Sequence, residues 1–262
     1  LKAPEIRTID ITRYAMPLRE GGSLPGLAEA NDGFLYVIKF RGAGQGRKAL
    51  IAELIGGQVA KALGLRVPEI VFAGLDESFG RMEGDEEIQD LLKASTGLNL
   101  GLHFLSRAIT FDPAAIRVEP DLSSQIVWLD SLLMNVDRTA RNTNMLWWKK
   151  ELWLIDHGAA LYVHHNWNEN ALGYKSFPMI RNHVLLPWAS RLRETNEEMK
   201  TKLTGDFIRD VVNQIPDVWL SEDLNFPDPN IHRNAYFSLL MNRLQNSDSF
   251  TNEARSAREA VI

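Results

Sequence analysis

Apolar residues recur along the chain with two different periods. Ile9 and Ile11 alternate with polar neighbours, which predicts a strand over residues 6–14. A second strand is predicted at Phe34-Leu35-Tyr36-Val37-Ile38-Lys39-Phe40, a run dense in aromatic and β-branched residues that follows the turn signal Asn31-Asp32-Gly33. Between them, Arg19-Glu20-Gly21-Gly22-Ser23-Leu24-Pro25-Gly26 is a loop by composition. Over residues 48–63 the period changes. Leu50, Leu54 or Ile55, Val59 and Leu63 recur at helical spacing, and Gly64 stands where a helix commonly ends. Gly56 and Gly57 each cost a helix roughly 1 kcal/mol relative to Ala, so they predict close packing or a bend. Val67-Pro68-Glu69-Ile70-Val71-Phe72-Ala73 is a further strand, and another is expected over residues 102–111.

Asp112-Pro113 is a turn signal and marks the expected boundary between two lobes, 1–112 and 113–262. Residues 123–135 are predicted helical, with Ser123 or Asp121 as cap and Ile126, Leu129 and Leu133 or Met134 on the apolar face. Two apolar runs, 145–148 and 152–155, flank Lys149-Lys150-Glu151. That spacing suits a β-hairpin with a three-residue connection. From about Pro187 onward the pattern is mostly amphipathic helices, broken by Pro216 and by Asn225-Phe226-Pro227.

Composition narrows the function classes. The 262 residues carry 29 Lys plus Arg against 34 Asp plus Glu, a net charge of −5. A chain this acidic has no basic footprint for nucleic acid. Without Cys there are no disulfides, zinc–thiolate sites or cysteine nucleophiles. No apolar run reaches the length of a membrane span, and residues 1–13 lack the apolar core of a signal peptide. The expectation is a cytoplasmic protein with no membrane partner.

The stretch from Asp137 to Gly158 carries the chemistry. It holds an Asp, an Asn five positions later, the predicted hairpin, and Asp156-His157-Gly158 at the hairpin's end. Phosphoryl transfer needs placed charge more than covalent help. One carboxylate has to orient the attacking hydroxyl and take its proton. An amide oxygen and a second carboxylate have to hold Mg²⁺, a hard cation that seeks oxygen. A short hairpin brings the loops at its two ends to one edge, so Asp137, Asn142 and Asp156 can converge on one metal and one γ-phosphate. Upstream, strand alternation puts Lys39 on the side of Val37, pointing inward. A buried ammonium needs a partner, and Glu53 in the next helix can supply it. Glycine loop, strand Lys, helix Glu, catalytic loop and metal Asp come in the order of the protein-kinase scheme.

With those residues in view, the chain resembles the HipA-like kinases, in particular stand-alone bacterial HipA-like kinase domain proteins. The resemblance is carried by Gly22-Ser23-Leu24-Pro25, Asp32-Gly33-Phe34-Leu35-Tyr36-Val37-Ile38-Lys39-Phe40, Leu63-Gly64-Leu65-Arg66-Val67-Pro68-Glu69, Asn135-Val136-Asp137-Arg138-Thr139-Ala140-Arg141-Asn142-Thr143-Asn144 and Leu154-Ile155-Asp156-His157-Gly158. It implies an α+β, bilobal protein-kinase-like fold, with a sheet-rich N-terminal lobe and a helical C-terminal lobe, that binds ATP and Mg²⁺. Asp137 then matches the catalytic Asp, Asn142 the metal-binding Asn, Asp156 the metal-binding Asp, and Lys39 the phosphate-contacting strand Lys. Gly22 and Ser23 fall in the phosphate-covering loop. Thr139 departs from the pattern, since many members have His there, and Asn144 is a second possible metal ligand. Characterised toxin members phosphorylate Ser on a protein, which implies a protein acceptor with a Ser/Thr hydroxyl. Residues 161–183 fall where a kinase has its activation segment and contain Tyr162, Tyr174 and Ser176.

Each piece alone has a plainer explanation. An isolated Asp-X4-Asn is usually a capped turn, an isolated strand Lys an edge-strand solubiliser, and an isolated helix Glu a solvated one. The combination is what favours catalysis. His157 is assigned no chemistry. His164-His165 is expected to be a surface segment, because neighbouring strand residues face opposite sides. Trp128, Trp147, Trp148 and Trp153 are expected to pack, and the charges of residues 253–259 to mark a solvated helix. Two other functions stay open on these residues: a kinase of a small molecule or lipid, and a catalytically silent nucleotide-binding module.

Overall fold

The computed structural model describes residues 2–18, 24–44, 46–79, 84–167, 176–221 and 223–262. Period-two alternation is the organising feature of the N-terminal part. Five strands, β1 (Thr8–Pro17), β2 (Gly26–Ala30), β3 (Leu35–Lys39), β4 (Ile70–Leu75) and β5 (Gly97–His103), close into a barrel in the order β1-β2-β3-β5-β4. β1 runs parallel to β4, and the other pairs are antiparallel. Ile9, Ala28, Tyr36, Ile38, Val71 and Ala73 fill the barrel. Helix α2 (Glu86–Ala94) plugs it with Ile88 and Leu92.

Helix α1 (Gly46–Ala62) is buried at every position from Ala49 to Ala60. A helix apolar on nearly all sides has to be enclosed. Its Leu50, Leu54, Ile55 and Val59 belong to one core with the C-terminal helices. Gly56 sits where a Cβ would come within 2.6 Å of the His157 Cβ, so the predicted close packing is met there. From the C-terminal side, Trp219 donates its indole N–H to the Leu98 carbonyl at 3.0 Å and packs edge-on against Phe72. Gln58 of α1 donates to Pro4 and Gln214. Barrel, α1 and C-terminal helices are thus tied together on one side.

The C-terminal part centres on α3 (Pro120–Leu133), whose Ile126, Val127, Trp128, Leu129, Leu132 and Leu133 are all buried. Around it lie α4 (Leu192–Lys202), α5 (Gly205–Asn213), α6 (Asp217–Leu220), α7 (Pro229–Gln245) and α8 (Ser247–Glu259). Short 3₁₀ turns cover Tyr162–Asn166, Pro178–Asn182 and Leu186–Trp188. Arg243, fully buried on α7, donates to the carbonyls of Leu132 and Ser131. A cation at the last turn of α3 meets orphan carbonyls and the negative end of the helix dipole, and this fixes the point from which the next loop departs.

Four expectations need correction. The hairpin pairs β7 (Met145–Trp148) with β8 (Glu151–Leu154), so its connection is two residues, Lys149 and Lys150, with φ of 50° and 65°. Two left-handed residues form the turn whose twist matches paired strands. Helix α3 begins earlier than predicted. Pro120 occupies its first turn, and Ser123 turns back to the Val118 carbonyl, with no cap from Ser123 or Asp121. The strand expected over residues 102–111 divides, because a turn with Arg107 at φ 63° ends the barrel strand. The two-residue β6 (Ile109–Thr110) then pairs with β7 instead. The charged C-terminal helix is not wholly solvated, since Glu253 accepts a hydrogen bond from the Phe177 amide.

Gly56→Ala should destabilise the fold by about 1–3 kcal/mol, since the new methyl meets a fixed Cβ. Gly57→Ala meets the far end of the Ile70 side chain, which can turn away, and should cost much less. Urea midpoints of the two variants test this; equal midpoints would show that Gly56 is not needed for the approach.

Candidate active site

The site is assembled from β3, α1 and the two ends of the hairpin. On β3, Tyr36 and Ile38 point into the barrel and are fully buried. Lys39 therefore emerges on the opposite face, with Val37, toward α1. Its Nζ lies 2.6 Å from Glu53 Oε2 and 2.5 Å from Asp156 Oδ1. The side chains are 11% exposed for Lys39, 1% for Glu53 and 42% for Asp156. His157 Nδ1 stands 3.4 Å from the other Glu53 oxygen, in the space that Gly56 leaves open. Burial works against both charges of the Lys39–Glu53 pair. The attraction of Lys39 and the bond with His157 outweigh it and hold the Glu53 carboxyl down at about 2. Burial likewise opposes the Lys39 charge, yet Glu53 and Asp156 raise the ammonium above the ordinary lysine range.

Asp156 stands just past β8 with φ of 55°. Left-handed backbone at a non-glycine residue costs energy and is held only by its surroundings. Here the Ile155 amide donates to the Asn144 carbonyl at 3.0 Å, and Arg138 donates to the carbonyls of both Asn144 and Ile155. The loop before the hairpin and the loop after it are thus stitched by one guanidinium.

That guanidinium is held by Asp130, a wholly buried carboxylate on α3. Asp130 accepts from Arg138 Nε at 2.6 Å, from His183 Nε2 at 2.9 Å and from Asn135 Nδ2 at 3.0 Å. The Leu185 amide donates to His183 Nδ1, so the ring proton sits on Nε2 and points at Asp130. Burial favours a neutral His183 and lowers its titration, despite the carboxylate. Burial alone would raise Asp130, but the charge of Arg138 and the bond from His183 keep it ionised, well below the usual carboxylate range. Asn135 in turn accepts from the Asp137 amide at 3.2 Å. Asp130, Asn135, Arg138 and His183 are a supporting layer that sequence reasoning missed. Asn135 and Arg138 lie in the segment that carries the family resemblance but had no role assigned, Asp130 and His183 gave no signal beyond a polar residue among apolar ones, and the meeting of the four is tertiary.

On this support, Asp137 Oδ2 accepts from Asn142 Nδ2 at 2.7 Å and from Asn144 Nδ2 at 3.1 Å. A carboxylate only accepts, so both amide nitrogens must face it and both amide oxygens are turned elsewhere. Amide oxygens and the Asp156 carboxylate form the donor set a hard divalent cation prefers. No three His, Cys, Asp or Glu side chains gather to hold a metal among the described residues. Such an ion would rely on Asn oxygens and on oxygens of the phosphate chain, which is how Mg²⁺ is usually held. The residues fit it on that basis. Of the sequence-predicted residues, Lys39, Glu53 and Asp156 are in direct contact, as are Asp137 and Asn142, and the two groups meet through Asn144 and Ile155. Gly22, Ser23 and Tyr174 lie outside the described residues. His164 is not on the surface as expected. It sits in a 3₁₀ turn, fully buried and 3.1 Å from the Tyr236 hydroxyl, because the segment is not a strand.

Comparison with known proteins follows this geometry. The HipA-like kinase family matches residues 11–253, and the chain belongs to that family; it is a kinase. The crystal structure of CtkA, a proinflammatory kinase of Helicobacter pylori, has a similar fold. The TM-score is 0.60 at 12% identity, covering 98% of this chain and 100% of that one. A Golgi casein kinase solved with Mn and ADP bound gives a TM-score of 0.49 at 12% identity, over 99% and 75% of the two chains. A comparison with curated proteins finds no match. The fold is the bilobal kinase fold, sheet-rich at the N-terminus and helical at the C-terminus. No described helix is long and apolar enough to cross a membrane.

Because Glu53 titrates near 2 in the fold against 4.5 ordinarily, its contribution to stability is complete above pH 4.5. It is lost as pH falls toward 2. Urea midpoints of the native chain should fall through that window, and Glu53→Gln should flatten the fall. A variant with the full native slope would dissociate Glu53 from acid lability.

Proposed function

We propose that this kinase transfers the γ-phosphate of ATP, with Mg²⁺, to a Ser or Thr hydroxyl of a protein. The observation that carries the reading is the ammonium of Lys39 held between Glu53 and Asp156, beside a catalytic loop whose Asp137 is gripped by two asparagines. Lys39 steadies the α- and β-phosphates, and Glu53 keeps its ammonium in place. Asp156 and Asn142, with Asn144 beside them, hold the metal. Asp137 orients the acceptor hydroxyl and takes its proton as the oxygen attacks the γ-phosphorus and the bond to the bridging oxygen breaks, leaving ADP. Bound MgATP supplies the phosphoryl group and the charge that screens it. The protein acceptor follows from the family resemblance, as do Gly22 and Ser23 over the phosphates. Residues 1–112 are assigned to the nucleotide lobe and 113–262 to the catalytic lobe.

Exposure separates the two partners of Lys39. Glu53 is buried and its attraction is little screened, whereas Asp156 is two-fifths exposed and its attraction is discounted by water. Asp156 is therefore the partner that can turn to a metal at small loss, while Glu53 is the permanent one.

Asp137→Asn should lower phosphotransfer by roughly 10²–10⁴-fold while nucleotide binding persists. The assay is labelled ATP, Mg²⁺ and a cell lysate, followed by phosphosite mapping. Label on lipid or small molecules alone would replace the protein acceptor, and no transfer to any acceptor would restore the silent-module alternative. Asp156→Ala should weaken nucleotide binding in Mg²⁺ by about tenfold or more, or about 1.4 kcal/mol. Unchanged calorimetry would remove Asp156 from the metal.

A further inference from the structure

Three residues of α1 face the loop that follows the hairpin. Ala49, Glu53 and Gly56 are spaced four and then three positions apart, so they lie along one side of the helix. Gly158 stands over Ala49, where an added Cβ would lie 3.6 Å from the Ala49 Cβ. His157 stands over Glu53 and Gly56 and is as deeply buried as Glu53. Glu53 Oε2 accepts from Lys39 Nζ at 2.6 Å, and Glu53 Oε1 lies 3.4 Å from His157 Nδ1. Among the described residues no other donor reaches either oxygen. A carboxylate only accepts, so the ring hydrogen sits on Nδ1 and points at Glu53. The other ring nitrogen, Nε2, is buried and bonds nothing. The polar contact of this imidazole is therefore with Glu53, and without it a buried carboxylate oxygen would be left bare, which is costly.

The residues beside His157 give the contact its consequence. Asp156 holds a left-handed backbone with an anchor on each side. Before it, Ile155 is tied to Asn144 and Arg138. After it, His157 is tied to α1. With both neighbours fixed, the Asp156 backbone stays in place while its two-fifths-exposed carboxylate is free to leave Lys39. Glu53 is then the remaining partner of the ammonium, and its own direction depends on what holds its second oxygen.

We propose that His157 is a positioning residue for phosphoryl transfer: its Nδ1–H takes one oxygen of Glu53 and turns the other toward Lys39, so that the ammonium stays on the phosphates when Asp156 turns to the metal. His157 is buried and acts through Glu53. Small displacements of a group that places charge are expensive in rate, which is why a bond one residue removed from the nucleotide matters. The role in transfer rests on the kinase function proposed above; the coupling of His157 to Glu53 does not. A plainer role for the side chain is to fill the notch at Gly56. Filling the notch needs a ring, whereas bonding Glu53 needs a nitrogen, and two substitutions separate these. His157→Phe keeps the ring and loses the donor. His157→Asn loses the ring and keeps an N–H close to the place of Nδ1.

The test titrates the full chain with ADP in a calorimeter, once in Mg²⁺ and once in EDTA, beside rates of transfer from labelled ATP in Mg²⁺ to lysate protein. His157→Phe should weaken ADP binding in Mg²⁺ by about tenfold, the effect of losing one charge-assisted hydrogen bond. The loss should be several-fold smaller in EDTA, where Asp156 still holds Lys39. Transfer should fall in parallel, and His157→Asn should recover most of both losses. Added to Glu53→Gln, His157→Phe should cost less than about twofold more, since the two residues act as one unit. Should the larger ring of Phe prevent folding, His157→Leu takes its place as the variant without a donor. The reverse order, with Asn weaker than Phe, would make His157 a filler of space and overturn the inference. Equal losses in Mg²⁺ and EDTA, or a full further loss on top of Glu53→Gln, would overturn it too. The expected order of variants in ADP binding without transfer to any acceptor would reject the kinase function and keep the coupling. No ADP binding by the native chain would overturn both.

Discussion

An ammonium enclosed between two carboxylates is the constraint on which the rest of this molecule depends. Lys39 leaves the barrel on the face away from its core and reaches a helix residue, Glu53, and a loop residue 117 positions further along the chain, Asp156. Taking a charge out of water costs several kcal/mol, and only well-placed opposite charge offsets it. The barrel, α1 and the end of the hairpin must therefore hold one arrangement. The C-terminal helices serve this requirement: Trp219 and Gln58 join α1 and the barrel to the segment that follows α5. Gly56 lets His157 close on Glu53 from the other side.

A second buried charge organises the loop that carries Asp137 in the same manner. Asp130 has no solvent, yet three donors converge on it, and one of them, Arg138, spans both loops of the site. A buried ion pair of this kind is a poor source of net stability. What it supplies here is position. Arg138 cannot shift without breaking bonds that water is not present to replace, and the neighbouring Asp137 is held through its amide by the buried Asn135 and through its carboxylate by the buried Asn144. Catalysis by placed charge needs little else from a protein.

The strands of the barrel were legible because alternation survives tertiary packing: Tyr36 and Ile38 face the barrel core, while Lys39, expected to point inward, leaves on the other face and is buried instead against Glu53 of α1. Helix α1 was legible from its spacing and from Gly64. Turn geometry was less so. The hairpin connection is two residues because left-handed backbone at Lys149 and Lys150 fits the strand twist, and nothing in two lysines announces it. His164 was misplaced because a period-two expectation was applied to a 3₁₀ turn. Lys39, Glu53, Asp137, Asn142 and Asp156 could be picked out by residue type and order, since phosphoryl transfer demands those types in some order.

The chain alone determined which side chains carry charge, where strands and helices begin to be favourable, and which scheme their order matches, because these follow from local chemistry and spacing. Folding in three dimensions decided which charges meet. The Asp130, Arg138 and His183 network and the approach of His157 to Gly56 join residues distant in sequence. Their energies come from excluding water around particular pairs, a property of the packed molecule and of no single segment.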